Sequence, residues 1–161
     1  MNDDREWVEH LAELERMVTS FYTSLFIDEG ISAPFCLTNA LPRLSEDEFS
    51  TLDAPIRNEE IHYAIKHMGG FKAPGPDGLQ VVFFKSHWDI VGNVVFQLIH
   101  DIKVEPLKVD DINETSIVMI SKVDNVSYLK HMRPIGLCNV SYKILTKVLA
   151  PRFSQVMTSP P

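Results

Sequence analysis

The sequence predicts an α+β fold that is mainly helical, and three observations carry that expectation. Apolar residues recur three or four positions apart in several separate stretches, which is the spacing of a helix face. Only one run, Ile117–Ile120, is short, apolar and β-branched enough to read as a strand. Glycine and proline cluster between these stretches, where they end helices rather than continue them. With 161 residues, 45% of them hydrophobic, the chain has the material for a sizeable core.

The first helix is expected from about Glu6 to Phe26, where Trp7, Leu11, Leu14, Val18, Phe21 and Leu25 alternate four and three residues apart. Such a stripe packs on the helix's own domain; a coiled-coil partner would need the pattern to run on for three or four heptads. Residues 28–44, with Gly30, Pro34 and Pro42, read as a loop. Ser45 and Glu48 form a capping box that starts a short helix. Asn58-Glu59-Glu60 opens the next, with Ile61, Ala64, Ile65 and Met68 on its apolar face and Gly69-Gly70 at its end. Pro74-Gly75-Pro76-Asp77-Gly78 then forces a fixed, non-helical path. Val81–Ile102 reads as one helix, with Trp88, Val91, Val95, Leu98 and Ile102 sharing a face and Gly92 marking close packing or a break. After the strand, Asn139 can cap a last helix carrying Tyr142, Leu145, Val148 and Leu149, which Pro151 is expected to interrupt.

Composition narrows function by exclusion. A formal net charge of -7 argues against a free-standing nucleic-acid binder, so any such role must rest on a local cationic cluster. Cys36 and Cys138 are far apart, without metal or disulfide-framework spacing. The polar, acidic N-terminus is unlike a signal peptide, and no apolar run approaches the ~20 residues of a membrane helix, so an intracellular chain without a membrane partner is expected. His62 and His67, five apart, fall on different helix faces and make no metal pair. Gly69–Gly78 is no phosphate loop, because Lys72 precedes Gly75 and both prolines lack an N–H. Asp77, beside Gly78, reads as a turn former.

The basic residues say more. Lys122 follows the strand, Arg133 lies eleven positions on, and Lys130 and His131 fall between. If that segment turns back as a hairpin, Lys122 and Arg133 meet. Adjacent cations repel, so the pair persists best around an anion such as a triphosphate; otherwise the two are solvated surface charges.

Two blocks bear on that choice. Lys72-Ala73-Pro74-Gly75-Pro76-Asp77-Gly78, followed by Asn113–Ile117, Ser121-Lys122 and Arg133-Pro134-Ile135-Gly136-Leu137-Cys138-Asn139-Val140-Ser141-Tyr142-Lys143-Ile144, closely resembles the reverse transcriptase of LINE-type (non-LTR) retrotransposons, especially the plant kind. Order and spacing match, and the resemblance covers most of the chain. It implies part of the fingers of a right-hand polymerase (residues 57–161) after a helical linker region (residues 1–56). It further implies that Lys122 and Arg133 lie over the incoming nucleotide's triphosphate, and that the loop with Lys72, Gly75, Asp77 and Gly78 shapes the template side.

The sequence also departs from that family. Ser121 replaces Pro, Gly136 replaces Ser, Met132 replaces an aromatic, and Pro151 sits where the family's helix continues. The palm aspartates that hold two catalytic metal ions have no counterpart here. The resemblance therefore implies no catalytic or metal-binding residue and no cofactor in this chain. The complete enzyme would need Mg²⁺ and would take an RNA template, a DNA primer and dNTPs. Without a palm, apolar faces around Trp88 and Tyr142 are expected to lie open. The alternative function is a non-enzymatic helical interaction module, or a remnant, derived from a retroelement.

Overall fold

The computed structural model describes residues 7–27 and 44–157, which are helical apart from one two-stranded sheet. In chain order they form α1 (Leu11–Phe26), α2 (Glu46–Asp53), α3 (Asn58–Lys66), α4 (Val81–Ser86), α5 (Trp88–Val104), a 3-10 turn (Pro106–Asp111), β1 (Thr115–Ser121), a second 3-10 turn (Leu129–His131), β2 (Met132–Cys138) and α6 (Val140–Met157). The chain divides into two compact units, each discontinuous in sequence: Met1–Leu41 with Val118–Ile135, and Pro42–Ile117 with Gly136–Pro161. The loop expected over residues 28–44 lies, apart from Leu44, outside the described residues, as does Cys36. No helix among the described residues is long and apolar enough to cross a membrane.

The larger unit is built around α3, α5 and α6. Ile61 and Ile65 of α3, Ile99 of α5, and Val140 and Ile144 of α6 are wholly buried together with Val81 of α4. Local sequence sets the helix starts. The Ser45 Oγ accepts the Glu48 N–H at 3.3 Å while the Glu48 carboxylate accepts the Ser45 N–H at 2.8 Å, which is the expected capping box. At α3 the Glu60 carboxylate likewise accepts the Arg57 N–H at 2.8 Å. The last turn of α3 is closed by Lys85, whose ammonium donates to the carbonyls of Lys66 at 2.8 Å and Met68 at 2.6 Å.

Two expectations for this unit are corrected. Val81–Ile102 is two helices, not one. His87 leaves the helical range (φ -120°, ψ 27°), and its Nδ1 lies 3.0 Å from the Phe83 carbonyl. Trp88 then starts α5 stacked on His62, with ring centroids 5.2 Å apart. Gly92 is a close-packing site: a Cβ there would meet the Trp88 indole at 3.1 Å. Pro151, in turn, does not interrupt α6, which runs on to Met157. A proline at this point deprives the Lys147 carbonyl of its helical donor.

The neighbouring residue helps to offset that loss. Arg152 is buried, and its guanidinium donates to both oxygens of Glu60, at 3.1 and 2.9 Å, and to the carbonyls of Leu52, Ala54 and Pro55. Lys103 donates to the carbonyls of Asp53 and Ala54, so two cations satisfy the turn that follows α2. Burial alone would raise the pKa of Glu60. The hydrogen bonds from Arg152 and the Arg57 N–H, with the charges of both arginines, outweigh it and hold the carboxyl below its ordinary value.

The smaller unit packs differently. α1 begins at Leu11 rather than Glu6, because the first helical bonds, from the N–H groups of Glu13 and Leu14, both end on the His10 carbonyl. Trp7 therefore lies outside the helix. The expected packing stripe stays largely open, with Leu11 71% and Leu25 60% exposed. The buried residue of α1 is Tyr22, which is absent from that stripe. Its hydroxyl reaches the carbonyls of Leu129 at 3.5 Å and Met132 at 3.4 Å, tying the helix to the turn that precedes β2.

The open apolar surface is also not where expected. Trp88 and Tyr142 are partly buried against the core of the larger unit. The exposed apolar residues lie instead on α1 and on β1, where Ile117, Val118 and Ile120 face solvent.

Candidate functional site

The hairpin brings the two predicted cations onto one face. The Lys122 N–H donates to the His131 carbonyl at 2.7 Å, and the connection between β1 and β2 is too short for a parallel crossover, so the strands are antiparallel. That bond sets Lys122 opposite His131 and, two residues further in, Ile120 opposite Arg133. Side chains alternate along a strand, so Ile120, Lys122, His131 and Arg133 project from the same side. The register also explains how a strand tolerates Pro134: its position is one whose N–H would point off the sheet edge. On the opposite side, Gly136 lies against Thr115; a Cβ there would come 3.2 Å from the Thr115 methyl.

The heads of the two cations are held differently. The Lys122 ammonium donates to the Lys130 carbonyl at 2.9 Å. Arg133 is exposed and its guanidinium is left as an open fork. Lys130 lies over the Tyr128 ring at 5.3 Å, and the same ring meets His131 edge-on at 5.5 Å. The buried Nδ1 of His131 makes no hydrogen bond. Among the described residues the ion pairs involve Arg57, Lys103, Lys108 and Arg152, and none involves a hairpin cation. The face thus presents Lys122 as a fixed point charge and Arg133 as a planar donor, the two devices proteins use to hold phosphate oxygens.

The proline–glycine loop belongs to the other unit and is clamped from below. The Gly75 carbonyl accepts the Gly78 N–H at 3.0 Å, Asp77 Oδ1 accepts the Leu79 N–H at 3.0 Å, and Gly78 adopts φ +71°. Asp77 is thus a turn residue in this geometry. The clamp is Asn139, just before α6. It is buried, and its side-chain oxygen accepts the Asp77 N–H at 3.2 Å instead of capping its own helix. A Cβ at Gly75 would sit 2.5 Å from the Asn139 backbone nitrogen, the Asn139 side-chain oxygen and the Cys138 carbonyl carbon. Gly75 is therefore required by close approach, which sequence reading could not see, since the contacting residue lies far along the chain. Lys143, one turn into α6, adds a hydrogen bond to the Ala73 carbonyl at 3.4 Å. Lys72 stays exposed and folds its stem against Gly69.

No group of three or more His, Cys, Asp or Glu among the described residues is placed to hold a metal ion. His62 stacks on Trp88, and His67 stacks on Tyr63 at 3.9 Å while its Nδ1 lies 2.8 Å from the Tyr63 carbonyl. Both are thereby engaged in packing. Cys138 is a free, half-buried thiol.

Comparison with known proteins gives one informative similarity. Over 144 residues, 86% of this chain, the sequence is 31% identical to an uncharacterized 149 kDa protein of transposon TX1 from Xenopus laevis. The chain spans 11% of that protein's length. No family model matches the chain. The chain is thus similar to a transposon protein over most of its own length.

Proposed function

We propose that this chain is a piece of a retroelement reverse transcriptase of the LINE type, supplying nucleotide- and template-side elements of the polymerase fingers. The observation that carries the reading is the placing of Lys122 and Arg133 on one hairpin face, with no carboxylate partner among the described residues. The similarity to a transposon protein supports the same reading. In it, Arg133 takes two oxygens of the incoming triphosphate through its fork, and Lys122, anchored on the Lys130 carbonyl, adds a charge beside it. The loop from Lys72 to Gly78, locked by Asn139, forms a rigid wall on the template side. The complete enzyme's palm carboxylates, outside this chain, would hold the Mg²⁺ that activates the primer hydroxyl and stabilises the leaving pyrophosphate.

The test joins the chain in frame to the palm and thumb of a LINE-type reverse transcriptase and measures primer extension on an RNA template. Extension should appear in the fusion and be absent from the chain alone. Arg133→Ala should then weaken dNTP use by about 1.5–3 kcal/mol, and Lys122→Ala by less. A fusion that extends primers equally well with and without both cations would overturn the assignment.

A further inference from the structure

We infer that α1 carries a self-association surface, on which a second copy of this chain docks its own α1 in parallel. This does not rest on the polymerase reading. Leu11, Leu14, Val18, Phe21 and Leu25 keep the strict three–four alternation of a coiled-coil seam, which is narrower than the stripe of a helix that faces a globular core. The chain does not use that seam for itself. The residue of α1 buried in its own unit is Tyr22, which flanks the seam and hydrogen-bonds to the turn before β2. Both ends of the seam, Leu11 and Leu25, remain mostly exposed.

Charge selects both the partner and its orientation. With Leu14 and Phe21 at the d positions, Glu15 follows a d position and His10 precedes an a position. These are the flanks that meet across a two-helix pair. In a parallel pair of two copies, His10 of each helix lies beside Glu15 of the other, on both sides of the seam. In an antiparallel pair Glu15 would face its own copy, and like charges would oppose pairing. The outward positions, Glu9, Arg16, Thr19 and Ser20, are polar and remain in water. The seam fills only about two heptads, so the pair should be weak and concentration-dependent rather than obligate.

The test is sedimentation equilibrium of the full chain over a wide concentration range. Wild type should show a reversible monomer–dimer equilibrium. The double variant Leu11→Glu/Leu25→Glu alters side chains already exposed in the monomer, so it should keep the wild-type circular dichroism and melting profile while dimerisation weakens by at least about tenfold. Orientation is read from Leu14→Cys in a Cys36→Ser/Cys138→Ser background. A parallel pair sets Leu14 beside its own copy and cross-links on mild oxidation, whereas an antiparallel register sets it beside Val18 and does not. A strictly monomeric wild type, a dimer indifferent to the Leu11/Leu25 charges, or a dimer that cross-links only through paired Leu14→Cys and Val18→Cys chains would overturn the proposal.

Discussion

The two units spend similar apolar material in opposite ways. In the larger unit three helices bury isoleucine and valine completely, and the polar groups beneath them are matched, with Arg152 answering three carbonyls and a carboxylate at once. In the smaller unit α1 and the hairpin carry as many large apolar side chains, yet the one side chain buried is Tyr22, held by two long hydrogen bonds. Apolar content alone therefore does not say where a core lies. What separates the units is whether neighbouring elements offer a second apolar layer and partners for the backbone groups that packing removes from water. The first arrangement holds itself; the second leaves surface for something else to cover.

Arg152→Ala should break that contrast most severely. It removes the donor for three carbonyls and strands the Glu60 carboxylate in a mostly buried position, so a loss of about 3–5 kcal/mol is expected from chemical denaturation. The acid limb gives an independent check. Glu60 is held below its ordinary pKa, so its contribution is complete above the unfolded value of about 4.3 and is lost as pH falls through the lower folded value. The wild type should lose stability in that acid window. Arg152→Ala should start lower and fall less steeply there; an unchanged acid slope would mean that the pair does not hold the unit.

Gly75→Ala tests the same unit at its loop. The added methyl would sit 2.5 Å from three atoms of the Cys138–Asn139 backbone and side chain, so the loop or α6 must shift, at about 1–3 kcal/mol. Asn139→Ala removes the acceptor for the Asp77 N–H without adding bulk and should cost about 1–2 kcal/mol. In the proposed enzyme both should impair template-dependent extension while leaving the Arg133 effect on dNTP use in place. If Gly75→Ala melts like wild type, the close approach is not enforced.

These residues also mark how far the sequence could be read. The capping box at Ser45 was legible because both partners lie within one turn, and β1 was legible from its β-branched run. The hairpin pairing of Lys122 with the segment before Arg133 followed from spacing and from the family resemblance. The failures share a physical cause. Pro151 obeys a local rule that the Arg152 network, reaching Glu60 far along the chain, overrides. The α4–α5 break depends on His87 and on Trp88 stacking against His62, and no local pattern announces that contact. Gly75 was readable as a turn glycine, but its necessity comes from Asn139. The α1 stripe was correctly seen as amphipathic; which face would be buried depended on Tyr22 and the hairpin rather than on periodicity.

Tyr22→Phe is the smallest effect and the sharpest test of the contrast. The ring would keep its edge-to-face contact with Phe21 at 5.0 Å and its stack with Phe26 at 6.2 Å, so only the hydroxyl is lost. That hydroxyl has one proton to share between two carbonyls at 3.4 and 3.5 Å, a long and divided bond worth about 0.5–1 kcal/mol. The loss should be local. Amide hydrogen exchange should quicken in α1 and around Leu129–Met132, while protection of α3, α5 and α6 stays as in the wild type. If Tyr22→Phe instead lowers protection across the buried isoleucines, the two units unfold as one, and the smaller is held by the larger core rather than by its own contacts.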